Sequence, residues 1–259
     1  MSRAKVYLLD VEGTVAPLTL TSEVLFPYAR AHFAEFLGRN FEDVAVRADL
    51  ALLAEENRID AAPDAPRIAT GCRRMPDGKP AFVGDSLKYL LWLMDRDRKS
   101  TALKSLQGKI WKAGFESGEL KGTLFEDVPG AFERWSRQGR VAIYSSGSVE
   151  AQKLLFAHTN FGDLTPTISG YFDTRTGPKM ESASYAAIAR ELGVEAGDVL
   201  FFSDAVKELD AARAAGCETR LVIRPGNAPV DDACGHAMIR SLLNEAAEDD
   251  LAGGQDGRL

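Results

Sequence analysis

Four short runs of the chain, 6–9, 141–144, 199–202 and 220–223, read as strands dominated by apolar residues. A strand with one wet face alternates apolar and polar residues. A nearly unbroken apolar run suits a strand covered on both faces and predicts a parallel sheet. Between the later runs the period becomes that of a helix. Tyr185, Ile188, Ala189 and Leu192 fall at i, i+3, i+4 and i+7, and Gly193 follows as a stop. Phe132 and Trp135 stand ahead of Gly139 in the same way, as do Val206, Leu209 and Ala212 ahead of Gly216. Strands alternating with helices of this length predict an α/β fold with a doubly wound parallel sheet.

The stretch 21–123 has a different texture. Leu25, Tyr28, Ala29, Phe33 and Phe36 mark one amphipathic helix, and Leu87, Leu90, Leu91 and Met94 a second, with Asp85 placed as its N-cap. Leu103, Leu106 and Ile110 mark a third, ending near Gly118, and a Pro- and Gly-rich loop at about 60–84 separates the first two. No strand pattern interrupts these helices. The expected organisation is an α/β core of 1–20 and 124–259 with an α-helical domain, 21–123, inserted after the first strand. There is no internal repeat. The acidic, Gly-rich tail 245–259 is expected to be disordered.

Composition narrows the function. With 259 residues the chain can bury a large core without covalent staples. Its 31 Lys and Arg against 38 Asp and Glu leave a net charge of −7, which disfavours a nucleic-acid coat. An acidic chain binds an anionic substrate only through a local cluster of positive groups or a metal. No apolar run is long enough for a membrane span and no signal-peptide pattern opens the chain, so a cytoplasmic protein without membrane partners is expected. Cys72, Cys217 and Cys234, and His32, His158 and His236, are scattered. They support neither disulfides, nor a zinc site, nor a hydrolytic triad.

The polar groups that carry chemistry collect where the apolar runs end. The first run leads into Asp10-Val11-Glu12-Gly13-Thr14, the second into Ser145-Ser146-Gly147-Ser148, and the third into Ser203-Asp204. In open parallel sheets ligands bind beyond the carboxyl ends of the strands, so three strands deliver carboxylates and hydroxyls to one crevice. Lys179 precedes a helix N-terminus, where the helix dipole disfavours a cation, and a broken local rule marks a functional candidate. Two carboxylates, a lysine and hydroxyls without histidine suit Mg²⁺ and a phosphorylated substrate. A carboxylate can also attack phosphorus as a nucleophile, so the set reads as phosphoryl transfer.

At these residues a family resemblance emerges. Asp10-x-Glu12-Gly13-Thr14, Ser145, Lys179 and Asp204 follow the order of the four motifs of the haloacid dehalogenase superfamily. The insert resembles that superfamily's mobile cap. At finer grain the chain resembles the enolase-phosphatases, or acireductone synthases, of methionine salvage. That likeness lies in Leu9–Thr14, in Asp97-Arg98-Lys99, in Thr101-Ala102-Leu103-Lys104, in Leu106-Gln107-Gly108, in the run 144–156 and in Arg224-Pro225-Gly226-Asn227. The superfamily usually has Asp two residues after its nucleophile; Glu12 stands there, as in the enolase-phosphatases. It often has Gly before the last Asp, where this chain has Ser203.

The resemblance implies a Rossmann-like core with one Mg²⁺ and a small phosphorylated diketone, 2,3-diketo-5-methylthiopentyl-1-phosphate, as substrate. The chain would enolise it and remove its phosphate to give the acireductone. Asp10 is the implied nucleophile and metal ligand, Asp204 a metal ligand, and Glu12 a metal-site residue and proton carrier. Ser145 and Ser146 bind the substrate's oxygens, and Lys179 neutralises charge. Glu208, one turn beyond Asp204, and Arg98 and Lys99 in the insert are further candidates. The rival enzyme is a phosphatase of the same fold acting on a sugar phosphate or nucleotide; the rival non-enzyme is a scaffold without turnover. The absence of a long exposed apolar helix favours a monomer.

Overall fold

The computed structural model describes residues 4–69, 74, 80–230 and 235–245. Its contacts divide the chain into two units, Met1–Leu20 with Lys121–Leu259, and Thr21–Leu120. The expected tail, most of the central stretch of the 60–84 loop, and Cys72 and Cys234 lie outside the described residues.

The first unit is built on six parallel strands: β1 (Val6–Leu9), β2 (Arg140–Tyr144), β3 (Ile168–Phe172), β4 (Val199–Ser203), β5 (Glu218–Val222) and β6 (Ala237–Ile239), in the order β3-β2-β1-β4-β5-β6. β1 sits between β2 and β4, with Leu9 opposite Ile143 on one side and Phe202 on the other. All four of its residues are buried, as the unbroken apolar pattern requires. Helices cover both faces. On one, α5 (Val128–Ser136) places Trp135 flat between Tyr7 and Phe202, with ring centroids 4.7 and 5.0 Å away, and α6 (Val149–Ala157) adds Phe156 against Phe132. On the other, α7 (Ser182–Glu191) and α8 (Val206–Ala214) bring Tyr185, Ile188 and Leu209 onto Val6, Leu8 and Phe201. The chain visits one side of β1 and then the other, so the strand order reverses between β1 and β4. That reversal is where a crevice opens beyond the strand ends.

Several elements differ from expectation. The last predicted strand begins two residues earlier, at Glu218. β3 and β6 carry no buried run: Ser169 and Gly170 interrupt one, and the other is three residues long. Both lie on a sheet edge, where only part of the strand is covered. β6 is fastened by buried His236, whose ring meets Thr219 at 2.7 Å and Asp210 at 3.1 Å.

The second unit packs α1 (Phe26–Asn40), α2 (Val44–Ile59), α3 (Ala81–Asp95) and α4 (Thr101–Ser117) around Phe33, Leu37, Leu50, Leu53, Leu90 and Leu106. α2 was not anticipated. Asp43 caps it, accepting from the amides of Ala45 at 2.9 Å and Val46 at 3.0 Å. Asp85 is not the N-cap of α3; Pro80 occupies that position and Asp85 lies inside the helix, bonded to Lys88. Proline's fixed φ and missing amide suit it to a helix start, which moves the start ahead of Asp85. α4 ends as expected at Gly118, whose φ of 78° is the left-handed turn that releases a chain from a helix. No helix among the described residues is long and apolar enough to cross a membrane.

Candidate active site

β1 delivers Asp10 and β4 delivers Ser203 and Asp204, and the Asp10 amide bonds the Phe202 carbonyl at 2.9 Å. Across the crevice Lys179 arrives from the segment between β3 and α7. Its Nζ lies 2.5 Å from Asp10 Oδ1 and 2.7 Å from Glu208 Oε2, and all three side chains are largely buried. The lysine is not held by its own side chain alone. Tyr144, Ser184 and Tyr185 donate their hydroxyls to three consecutive carbonyls, those of Gly177, Pro178 and Lys179, at 2.8, 2.7 and 2.7 Å. Sequence reasoning read the two tyrosines as core; their hydroxyls aim the lysine.

Glu208, a peripheral candidate in the sequence, touches Lys179 directly. Ser203 Oγ donates to its Oε2 at 3.0 Å and accepts the Ala205 amide at 3.1 Å. The serine standing in place of glycine therefore orients the second carboxylate on the lysine. Asp204 packs on the loop after β1. A Cβ on Gly13 would fall 2.3 Å from Asp204 Oδ2, and the glycine's φ is 72°, so only glycine admits the carboxylate there. Two residues of the 224–227 motif hold this loop: Arg224 Nε donates to the Thr14 carbonyl and Asn227 Nδ2 to that of Gly13, both at 3.0 Å. Arg224 is in turn paired with Asp127 at 2.9 Å.

Electrostatics follow from this burial. Desolvation pushes the Asp10 carboxyl up to about 7 against the pull of Lys179, with Glu208 pushing the same way as burial. Burial lowers the Lys179 ammonium, but Asp10 and Glu208 outweigh it and the net shift is upward. Burial, and then the charges of Glu208 and Glu12, raise Asp204. Several carboxylates thus share one ammonium, an excess of negative charge that a divalent cation would balance. Among the described residues no three His, Cys, Asp or Glu side chains gather into a metal cluster. Mg²⁺ needs no such cage: one or two carboxylates with waters and a substrate phosphate suffice, and Asp10 and Asp204 are hard oxygen donors of that kind. The residues fit the ion.

Ser145 lies on the loop after β2, buried, its Oγ accepting the Gly147 amide at 3.2 Å; Ser146 is exposed. Neither hydroxyl bonds to Asp10, Lys179 or Asp204. Gln152 fixes their loop, donating to the carbonyls of Gly147 and Phe172, both at 2.8 Å. Arg98 and Lys99 stand in the other unit, between α3 and α4, where Arg98 bonds Asp60 at 3.3 Å. Cys217 is free and buried, and burial pushes its thiol up to about 11, which removes it as a nucleophile.

A buried Asp10 at the carboxyl end of β1, paired with Lys179 where the strand order reverses, marks a hydrolase-type site in an open parallel α/β sheet. A family model for haloacid dehalogenase-like hydrolases matches residues 4–216. Among similar proteins, an enolase-phosphatase E1 from Synechococcus elongatus is 53% identical over 225 residues, covering 86% of this chain and 90% of that protein. One from Drosophila mojavensis is 45% identical, covering 88% of each. The crystal structure of the UTR4 protein from Saccharomyces cerevisiae superposes with a TM-score of 0.74 at 36% identity, covering 92% of this chain and 98% of that one. The chain belongs to the haloacid dehalogenase-like hydrolases and, within them, to the enolase-phosphatase E1 family.

Proposed function

We propose that the chain is an Mg²⁺-dependent enolase-phosphatase that converts 2,3-diketo-5-methylthiopentyl-1-phosphate to the acireductone and phosphate in methionine salvage, with Asp10 as its nucleophile. The observation that carries this reading is the Lys179 ammonium, seated 2.5 Å from Asp10 at the end of β1. Asp10 and Asp204 would hold the ion, which when bound neutralises phosphoryl oxygens and lowers the Asp10 carboxyl into its ionised form.

In the first reaction a proton leaves C1 of the diketone and one is gained by the C2 oxygen; Glu12 serves as the proton carrier. In the second, an Asp10 oxygen attacks phosphorus and the phosphorus–oxygen bond to C1 breaks. The departing oxygen takes a proton from Glu12. Water, giving its proton to Glu12, then attacks the aspartyl-phosphate and restores Asp10. Lys179 balances the phosphoryl charge throughout, Ser145 and Ser146 bind substrate oxygens, and 21–123 acts as the cap. Asp10→Asn is expected to abolish phosphate release while the phosphorylated enol accumulates, read by ultraviolet absorbance beside a phosphate assay. Normal phosphate release by that variant would overturn the assignment.

A further inference from the structure

The loop after β1 is held by its carbonyls. Asn227 Nδ2 donates to that of Gly13 and Arg224 Nε to that of Thr14, and the Phe125 amide donates to that of Val15, each at 3.0 Å. Consecutive carbonyls are thus taken by two side chains that follow β5 and one amide that precedes α5. Behind them stands Asp127. It occupies the N-cap position of α5 yet makes no cap bond; its Oδ2 accepts Arg224 Nη1 at 2.9 Å and the Leu242 amide at 2.7 Å. A carboxylate that forgoes its own helix cap breaks a local rule, and such a break marks a place where function sets the geometry. The Arg224 guanidinium also lies over the Phe125 ring, 4.3 Å from its centre.

Stability does not explain this arrangement. Arg224 and Asp127 keep only 5% and 11% of their side chains exposed, and a buried ion pair gains little or nothing over apolar side chains of similar size. The network is also incompletely paired. Arg224 Nη2, Asp127 Oδ1, Asn227 Oδ1 and Thr14 Oγ1 are buried and meet no hydrogen-bond partner among the described residues, which lowers stability further. What the network does secure is the place of Gly13 and Thr14, and Gly13 is the residue against which Asp204 packs. Arginine suits the task where lysine does not, since Nε and Nη1 donate in different directions from one rigid plane.

We propose that Arg224, Asp127 and Asn227 form a positioning unit for the Mg²⁺ site, fixing the Gly13 and Thr14 carbonyls so that Asp204 keeps its seat. The proposal rests on the reading that Asp10 and Asp204 hold the ion. Asp127 is the pivot: the oxygen that orients Arg224 also holds the Leu242 amide, so the chain after β6 is tied to the same loop.

The test is calorimetric titration of the metal-free full chain with Mg²⁺, without substrate, beside thermal melts and steady-state phosphate release. Arg224→Met with Asp127→Asn removes both buried charges and keeps an acceptor for the Leu242 amide. It should melt within about 5 °C of the parent yet bind Mg²⁺ about tenfold or more weaker. Arg224→Lys and Asn227→Ala leave Asp127 in place and should each raise the Mg²⁺ Kd by about tenfold; they decide the matter if the paired variant does not fold. In phosphate release each variant should need correspondingly more Mg²⁺ for half-maximal rate, with kcat recovering at saturation. Asp204→Asn is the reference. If it leaves the Mg²⁺ Kd at the parental value, the metal reading falls and this proposal with it. If it weakens binding while folded Arg224→Lys and Asn227→Ala bind Mg²⁺ like the parent, the positioning unit alone is overturned. A loss of Mg²⁺ affinity that only tracks the loss of Tm across the variants overturns it too.

Discussion

Replacing Gly13 with alanine tests how closely the site is built. The substitution does two separable things. It places a side chain at φ 72°, which costs about 1–2 kcal/mol in the left-handed region. It also puts a carbon 2.3 Å from Asp204 Oδ2 and 2.6 Å from Cγ, where contacts under 3.0 Å are not tolerated, so the carboxylate must retreat. A displacement approaching 1 Å at a catalytic constellation costs on the order of 100-fold in rate. Gly118→Ala supplies the matched control, because its φ is 78° but nothing lies within 4 Å of the new carbon. Both variants should lose about 2–8 °C in Tm. Only Gly13→Ala should lose about 100-fold in kcat/KM and need more Mg²⁺ for half-maximal activity. The measurements are thermal denaturation and phosphate release across a Mg²⁺ titration. A Gly13→Ala enzyme with the parental Mg²⁺ response and rate would refute the claim that Gly13 seats Asp204.

Other outcomes follow from the same geometry. The carboxyl of Asp10 rises from 3.8 to about 7 on folding, so the metal-free chain should lose stability as pH climbs through that window; Mg²⁺ should remove the loss, read as Tm against pH with and without the ion. Tyr185→Phe deletes the hydroxyl that holds the Lys179 carbonyl. It should cost about 1 kcal/mol in stability and lower kcat more than it raises KM, because Lys179 loosens beside Asp10; unchanged kcat would refute the aiming role. Exhaustive chelation should stop turnover, and Asp204→Asn should recover part of its rate in excess Mg²⁺. Turnover after chelation would remove the ion from the reading.

What the sequence made legible was set by burial. β1 and β4 lie inside the sheet, and each is fully buried, so their runs stand out from the chain. β3 and β6 lie at the edges, half-covered, and leave no such trace. α2 repeats Val46, Leu50 and Leu53 on one face, but the fourth position is Asn57, buried and bonded to the Pro66 carbonyl at 2.7 Å, so polarity there hides the stripe. In the site, Asp10 and Asp204 were legible because charge at the end of an apolar run is chemically conspicuous, and Lys179 because a cation ahead of a helix N-terminus breaks a local rule. The hydroxyls of Tyr144 and Tyr185 were not, since an aromatic residue in a core pattern shows its ring and not the carbonyl it will meet.

The second unit is tied at its ends. Tyr28 donates to Glu119 at 2.9 Å, Trp111 donates to the Leu25 carbonyl at 2.8 Å, and Phe26 stacks on Trp111. β1 must find β2 across about 130 residues, a long loop whose closure costs entropy. If the inserted unit forms first, its stapled ends shorten the effective loop to roughly 35 residues and save about 1 kcal/mol of closure free energy. The insertion thereby turns from an obstacle to strand pairing into a splint for it. Folding should proceed with the helices leading and the β1–β2 pair following, an order set by where the chain's ends are fastened and not by the chemistry the finished enzyme performs.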